Sequence, residues 1–287
     1  MHMFYTFVVV VLERHCITVT GWHWNRWKKG RYNICRSLRK DRYGKEQKRL
    51  LTITVFSFLM FTFPPGYPNV PPQVHYHSGG LGLNPNLYAS GKVSLSLLDT
   101  WFGNKDQKWT PGVSTMLQVL VSIQGLILNA KPYYNEPGYE IMSRLIDGEK
   151  RAMLYNEDTF ILSLKTMMYM IRKPPKNFED LVVGHFYSRA YNILGSCKAY
   201  MEGAQVGYLA KGRVRIVDES EGKCSDKFKA GLVGHVNNLV KEFERIGVKD
   251  CEKFQKGSSH SLSLHLPAYS LSLPFPLYLS LYSLSLS

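Results

Sequence analysis

Prolines restrict the backbone conformation of the chain between residues 63 and 111. Residues 64–68 read Pro-Pro-Gly-Tyr-Pro, and Pro71-Pro72 follows shortly afterwards. Proline fixes φ and removes a backbone donor, so neither cluster can lie within a central strand. The apolar runs 50–63 and 73–76 on either side are typical of buried strands. The sequence therefore predicts two short strands joined by a rigid, proline-rich crossing.

Four short motifs follow one another here at fixed distances. They are Tyr67-Pro68-x-x-Pro71-Pro72, Asn84-Pro85-Asn86, Gly91-Lys92-Val93-Ser94-Leu95 and Trp109-Thr110-Pro111. In order and spacing they resemble the Tyr-Pro-x-x-Pro-Pro, His-Pro-Asn, Gly-x-Ile/Val-Cys-Leu and Trp-Ser-Pro motifs of the ubiquitin-conjugating (E2, UBC core) family. Each motif is weak alone, but four in register are specific. The resemblance covers residues 61–256.

The resemblance implies an enzyme that takes the ubiquitin C-terminal carboxyl from an E1 and passes it to a lysine or an E3. Ser94 stands at the family's nucleophilic cysteine. Asn86 matches the asparagine that supports the oxyanion, and its amide also suits holding the turn. Asn135 and Glu136 match the region lining the lysine approach. The other motif positions imply structural roles for Tyr67, Pro68, Pro71, Pro72, Trp109 and Pro111. Expected partners are ubiquitin, E1 and E3; no cofactor is expected, because the E1 uses the ATP.

Serine at position 94 predicts impaired transfer. A hydroxyl is barely ionised near neutral pH and needs an adjacent base, whereas a thiol is partly thiolate. Two hypotheses follow: a weakened transferase, or a catalytically inactive variant (a pseudoenzyme) that acts as a ubiquitin- or E3-binding scaffold. A serine hydrolase is disfavoured, because no Gly-x-Ser-x-Gly elbow surrounds Ser94. No metal site is predicted, because His75 and His77 lack a third ligand.

Further segments resemble one subgroup, the large plant E2s of the phosphate-homeostasis type, which are E2/E3 hybrid-like. Seven extra residues separate position 94 from the Trp-x-Pro turn, compared with small E2s. The matching segments are residues 83–88, 95–101, 137–140, 155–158 and 198–207.

Helical patterns dominate after residue 113, which predicts an α+β fold. The expected architecture is a partial UBC fold, with an antiparallel sheet remnant, C-terminal helices, and disordered or artefactual ends. The first helix, residues 114–129, is expected to be largely buried and capped by Ser114. Further helices are predicted over 140–153, 156–170, 177–201 (capped by Asn177) and 225–246. The predicted domains are 1–55 (unmatched basic segment), 56–173 (partial UBC core), 174–257 (helical extension) and 258–287 (low-complexity tail).

Residues 1–55 do not match the helix and two strands that the family places there. Residues 1–60 hold twelve Lys/Arg against three Asp/Glu, so they carry most of the net charge of +14. Tryptophans among Lys and Arg in residues 22–49 suggest a contact with nucleic acid or a membrane, but no sequence signature of a nucleic-acid-binding module is present. Without regular periodicity, the segment is interpreted as a disordered arm or translated non-coding DNA. The sheet would then keep an exposed edge.

The tail, Ser258–Ser287, alternates Ser and Leu as a CT-dinucleotide repeat would encode, and no function is assigned to it. The five cysteines are widely spaced without a Cys-x-x-Cys pair, which favours a cytoplasmic or nuclear location. The apolar runs Met3–Leu12 and Leu50–Phe63 are too short to span a bilayer. Association with an endomembrane surface stays open.

Overall fold

The computed structural model describes the backbone of residues 7–13, 16–22, 30–34, 57–144, 146–206 and 224–255. Side-chain environments are described from residue 58 onward within these ranges, except at positions 142, 144 and 146. The strands are β1 (Phe7–Glu13), β2 (Cys16–Trp22), β3 (Gly30–Ile34), β4 (Ser57–Thr62) and β5 (Gln73–Tyr76). The helices are α1 (Met116–Ser122), α2 (Ile146–Arg172), α3 (Glu179–Met201) and α4 (Asp226–Arg245).

One antiparallel sheet holds the five strands in the order β3-β2-β1-β4-β5. Val10 of β1 lies opposite Leu59 of β4, which in turn lies opposite Tyr76 of β5. The α+β class is thus confirmed. The prediction of irregular structure before residue 50 is wrong over β1, β2 and β3, because their strand state depends on pairing between distant segments. The edge of β4 that was expected to be exposed is paired with β1.

Strand β4 separates two hydrophobic clusters. Phe58 packs with the residues of α2, α3 and α4, whereas Leu59 and Phe61 pack with the motif region and α1. Successive strand side chains point to opposite faces, so both faces of β4 are buried. This explains why the sequence there is a continuous apolar run and not an alternating one.

Helix α1 begins at Met116, two residues after the start of the predicted range, and is less buried than predicted. Thr115 is the N-cap, accepting from the Gln118 backbone N–H, so the prediction of a Ser114 cap is wrong. The helix continues through a π-helical turn, Ile123–Ile127. Leu117 and Val121 are 48% and 46% exposed, so the prediction of a largely buried helix is also wrong. Only one stripe of α1 meets the sheet cluster.

The two helices predicted over 140–153 and 156–170 are one helix, α2, preceded by a 3₁₀ turn at Tyr139–Arg144. Asn156 does not break it, because its side-chain amide donates to the Ala130 carbonyl at 3.1 Å. This tertiary bond occupies the Asn156 side chain within one continuous helix.

Helices α3 and α4 lie close to their predicted ranges. Ser225, the first residue of the predicted range, caps α4 by accepting from the Phe228 N–H. Asn177 is not the cap of α3: it has a left-handed φ of 70°, and the buried Phe178 takes the N-cap position. One cluster includes residues of α2, α3 and α4, so its contacts continue across the predicted boundary at residue 173. The domain limits stay predictions, and residues 258–287 lie outside the described ranges.

Candidate active site

Ser94 lies in the interior of the motif cluster. Its neighbours Val93 and Leu95 are buried, and Ser94 itself is 0% exposed. Its backbone N–H donates to the Asn86 carbonyl at 2.9 Å. Its hydroxyl has no hydrogen-bond partner among the described residues. The position predicted for the nucleophile therefore carries a hydroxyl that is neither solvated nor held by a base.

Asn86 holds the backbone at Ser94. Its side-chain amide donates to the Ser94 carbonyl at 3.0 Å, and its own backbone N–H donates to Asn84 Oδ1 at 2.9 Å. Both bonds are buried, where an unmade bond is costly. The turn-holding role is therefore directly visible, while oxyanion support by Asn86 stays a prediction.

Asn84 and Asn135 connect the site to the end of α1. Asn84 donates to the Ile127 carbonyl at 2.8 Å and accepts from the Asn135 amide at 3.2 Å. Asn135 also donates to Ile127 at 3.0 Å and accepts from Asn129 at 2.5 Å. Asn135, predicted to lie on the lysine approach, is thus part of a partly buried amide network. No role was predicted for Asn84, because its partners Ile127 and Asn135 lie far along the chain.

Thr100 braces the residues on both sides of Ser94. Its hydroxyl donates to the Val93 carbonyl at 2.7 Å and accepts from the Leu95 N–H at 3.0 Å. In the sequence, Thr100 stands out only as part of the subgroup segment 95–101. Its position six residues after Ser94 gives no periodic signal, because the 3₁₀ turn Ser96–Leu98 is what folds the chain back.

A glycine at position 91 lets this segment approach β5. Gly91 has a φ of 87°, and a Cβ there would lie 2.1 Å from Cε1 of His75. The Gly91 carbonyl accepts from the Tyr76 N–H at 2.7 Å, which covers the outer edge of β5. A glycine is required here both for the left-handed backbone and for the space.

His75, which lies in β5, and His77, which directly follows β5, do not act as a base for Ser94. His75 is exposed, and His77 packs against Phe58 and Tyr169. Burial, and then the charge of His75, lowers the pKa of His77. Because the Ser94 hydroxyl has no partner among the described residues, neither imidazole is placed as its base.

The proline motif and the Trp-x-Pro turn pack together. Trp109 is buried, and its indole N–H donates to the Pro68 carbonyl at 2.7 Å. The Tyr67 ring lies 5.9 Å from the Trp109 ring. The Tyr67-Pro68 peptide bond is cis. Pro71 and Pro72 directly precede β5, and Pro111 lies in the turn closed by the Ser114 N–H donating to the Thr110 carbonyl at 2.8 Å.

Glu136 lies beside tyrosines of the following segment. It is partly buried, and its charge contributes, after burial, to the raised pKa of Tyr155. The Tyr133 ring lies 5.9 Å from the Tyr155 ring. No signal in the sequence predicts that Tyr133 and Tyr155 meet, because their convergence depends on the turns between α1 and α2.

Within the described part of the chain, no group of three His, Cys, Asp or Glu side chains is arranged to hold a metal ion. No helix in the described ranges is both long and apolar enough to cross a membrane.

Comparison with known proteins agrees with the motifs. The family model described as ubiquitin-conjugating enzyme matches residues 52–158. The probable ubiquitin-conjugating enzyme E2 25 of Arabidopsis thaliana is 56% identical over 199 residues, which cover 69% of this chain and 32% of that protein. The putative ubiquitin-conjugating enzyme E2 38 of the same plant is 50% identical over 193 residues, 67% of this chain and 59% of that protein. A human dual E2 ubiquitin-conjugating enzyme/E3 ubiquitin-protein ligase, BIRC6, is 36% identical over 188 residues, 64% of this chain and 4% of that protein.

The matched residues therefore cover from 4% to 59% of the length of these three relatives. Plant E2 proteins are among them, as the resemblance implied, while the phosphate-homeostasis type stays a prediction. Motifs, fold class, family model and relatives agree: this chain belongs to the ubiquitin-conjugating (E2) family.

Proposed function

We propose that this chain is a ubiquitin-conjugating protein whose acyl-transfer step is impaired at Ser94. The observation that carries the proposal is the Ser94 side chain, which is fully buried and makes no hydrogen bond among the described residues. A reacting group has to reach the incoming thioester and lose its proton. Neither condition is met by this hydroxyl in its present position.

The chemistry explains why the proton matters. Attack by Ser94 Oγ on the E1 thioester would form a C–O bond and break the C–S bond, with the hydroxyl proton passing to a base and the E1 sulfur leaving as thiolate. Serine needs an adjacent base for this step, whereas cysteine is already partly ionised. No described side chain accepts a hydrogen bond from Ser94 Oγ. Loading at Ser94 is therefore expected to be slow or absent.

The contacts of Asn86 favour a structural role in holding the site over a direct role in the reaction. Its amide is engaged with the Ser94 carbonyl, so oxyanion support would require that bond to be exchanged. A donor aimed at an oxyanion contributes about 3 kcal/mol to a transition state. We propose that Asn86 keeps this capacity in a Ser94→Cys variant and that Asn135 and Glu136 line the lysine approach there.

A catalytically inactive scaffold is the second candidate. It is favoured by the packing of Tyr67, Pro68 and Trp109, which keeps the surface around the motifs in place without a competent nucleophile. Ubiquitin, an E1 and an E3 are the partners that the family implies. ATP would be used by the E1, and we propose no cofactor for this chain.

A reducing compartment fits the cysteines. Cys197, Cys224 and Cys251 are buried free thiols in the described part of the chain. Disulfides are rare in the cytosol and nucleus, where thiols stay reduced. We therefore place the protein in the cytoplasm or nucleus, with association to an endomembrane surface as the outcome to test by fractionation.

A loading assay with E1, ATP and ubiquitin tests the proposal, with Ser94→Cys as the matched variant. The chain as it stands should form no DTT-sensitive adduct, and at most a trace of alkali-labile, DTT-resistant ester. Ser94→Cys should form a DTT-sensitive thioester, either alone or with residues 1–55 replaced by the family's N-terminal helix and first two strands. Rapid loading of the unchanged chain through an ester at Ser94 would refute the impairment. Failure of both Ser94→Cys proteins to load would remove the support for a transferase.

The scaffold is tested without any transfer. Titration of isotope-labelled ubiquitin with the unchanged chain should shift ubiquitin resonances at concentrations up to about millimolar, as expected for weak contacts. The absence of shifts at that concentration would count against the scaffold and leave the impaired transferase as the proposal.

A further inference from the structure

A cavity of about 460 Å³ lies between the end of α3, the first turns of α4 and the 3₁₀ turn Glu252–Phe254. Ligand-binding clefts in proteins hold about 300–1,000 Å³, so the size of this cavity suits a ligand. Among the described residues, its lining comes from these elements and the residues directly following them, and none comes from the motif region. We call it the lysine cavity, because Lys198, Lys229 and Lys253 each contribute an ammonium group from a different element.

The two helices present the lining of the lysine cavity at helical spacing. Lys198 and Met201 lie three residues apart on α3, and Lys229 and Val233 lie four residues apart on α4. Side chains at these spacings share one face of a helix. Met201 and Phe254 also pack against the buried cluster of α2, α3 and α4. Apolar surface that continues from the core therefore lies beside the ammonium groups.

In the lysine cavity the cations lie deeper than the carboxylates. Lys198, Lys229 and Lys253 are half-buried, whereas the lining residues Glu202 and Asp226 are exposed. The side chain of Lys229 is 28% exposed and that of Asp226 is 100% exposed, at a separation of 3.1 Å. An ion pair with so exposed a carboxylate contributes little to stability. A carboxylate of a ligand can therefore take the place of Asp226 at Lys229.

Aromatic rings position the third lysine of the cavity. The Nζ atom of Lys253 lies 4.9 Å from the ring centroid of Tyr191 and 5.7 Å from that of Phe254. The Tyr191 hydroxyl donates to the Lys249 carbonyl at 2.7 Å, which holds this ring in place. A ring face attracts an ammonium group without cancelling its charge. The charge of Lys253 therefore adds to the positive potential of the lysine cavity.

We propose that the lysine cavity binds an acidic segment of a partner protein that carries one apolar side chain among its carboxylates. The carboxylates would accept hydrogen bonds from Lys198 and Lys229, and the apolar side chain would contact Met201, Val233 and Phe254. Because the ammonium groups come from three elements around an apolar wall, the matching ligand has several carboxylates about an apolar group. Such a segment has both, whereas a single inorganic anion does not. This binding goes beyond the proposed function, since it needs neither E1 nor a nucleophile.

Fluorescence anisotropy with the full chain tests the lysine cavity. The probe is a fluorescein-labelled, amidated peptide, Gly-Glu-Asp-Glu-Leu-Glu-Glu-Gly. One control peptide has every Glu and Asp replaced by Gln and Asn, and a second has the leucine replaced by serine. The amide peptide should show no saturable binding, and loss of the leucine should weaken binding about tenfold, because its burial is worth about 1.5 kcal/mol or more. Equal affinity of the acidic peptide and either control would overturn the proposal.

Lysine variants separate the cavity from general attraction to a chain with a net charge of +14. Lys198→Gln and Lys229→Gln should each weaken binding of the acidic peptide about two- to fivefold, the range of a partly exposed ion pair. Lys241→Gln is the matched control, because Lys241 is an exposed lysine on the same helix as Lys229 and does not line the cavity. The control should bind as the unchanged chain does, and urea unfolding midpoints show that all three variants fold. An equal loss in Lys241→Gln would overturn the proposal.

A competition experiment distinguishes an acidic segment from a small anion. Inorganic phosphate, added at constant ionic strength, should displace the peptide no better than chloride does. Displacement by millimolar phosphate would mark a small-anion site and overturn the proposal. These assays contain no E1, ATP or ubiquitin, so their result is independent of the loading assay.

Discussion

Replacing Ser94 by alanine should make the protein more stable. The hydroxyl of Ser94 is 0% exposed and has no hydrogen-bond partner among the described residues. In the unfolded chain water would satisfy the same hydroxyl, so folding loses its hydrogen bonds without replacement. Removing the oxygen removes this penalty, which is the reverse of the usual large-to-small effect in a core.

The size of the effect follows from two opposing contributions. Burying a hydroxyl without a hydrogen bond costs about 1–3 kcal/mol. Deleting one oxygen leaves a void of about 10 Å³, which at ~24 cal/mol per Å³ costs about 0.2 kcal/mol. The Ser94→Ala chain should therefore gain about 1–3 kcal/mol, which corresponds to about 2–12 °C in Tm for a chain of this size.

Urea unfolding at constant slope measures the difference, and the chain offers a matched control. Ser163 is equally buried, but its hydroxyl donates to the Phe160 carbonyl at 2.7 Å. Ser163→Ala should lose about 0.5–1.5 kcal/mol, the net value of one hydrogen bond. The two substitutions remove the same atom, so only the partner distinguishes them.

The reasoning is refuted if Ser94→Ala destabilises the chain as much as Ser163→Ala does. That result would mean that the Ser94 hydroxyl is hydrogen-bonded in the folded protein, and it would reopen the question of a base. Ser94→Cys should be close to neutral or stabilising, because a buried thiol behaves as a small hydrophobe.

Two further predictions concern an ion pair between helices α2 and α4 and the Trp-x-Pro turn. Burial alone would raise the pKa of Glu242, but hydrogen bonds and charge from Arg172 and Arg245 outweigh it and lower the pKa below its ordinary 4.5. The ionised carboxylate thus stabilises the fold above pH 4.5, and this stabilisation is lost as the pH falls through the lowered pKa. Glu242→Gln should lower the free energy of unfolding by about 1–2 kcal/mol at pH 7 and by little at the lowest pH. An equal loss at the two pH values would contradict the ion pairs. Trp109→Phe removes the 2.7 Å bond to the Pro68 carbonyl and should cost about 1–3 kcal/mol in urea unfolding, whereas an unchanged midpoint would show that water replaces the indole.

Local chemistry was sufficient to place the motif region. The prolines act on their immediate neighbours, so their consequence for the backbone could be predicted from spacing alone. The strand pair β4 and β5 and the late helices followed for the same reason. The cap of α1 was wrong by one residue, since Ser114 and Thr115 are chemically similar and only the geometry of the Thr110–Ser114 turn decides between them.

Contacts between distant segments decided the rest. β1 became a strand next to β4 through pairing, and Asn156 stayed within α2 because Ala130 supplied its partner. The sequence by itself determined the family and the identity of residue 94. Only the tertiary structure decided that the Ser94 hydroxyl is buried without a base, because hydrogen bonding and solvent access depend on residues that the chain brings together from far apart.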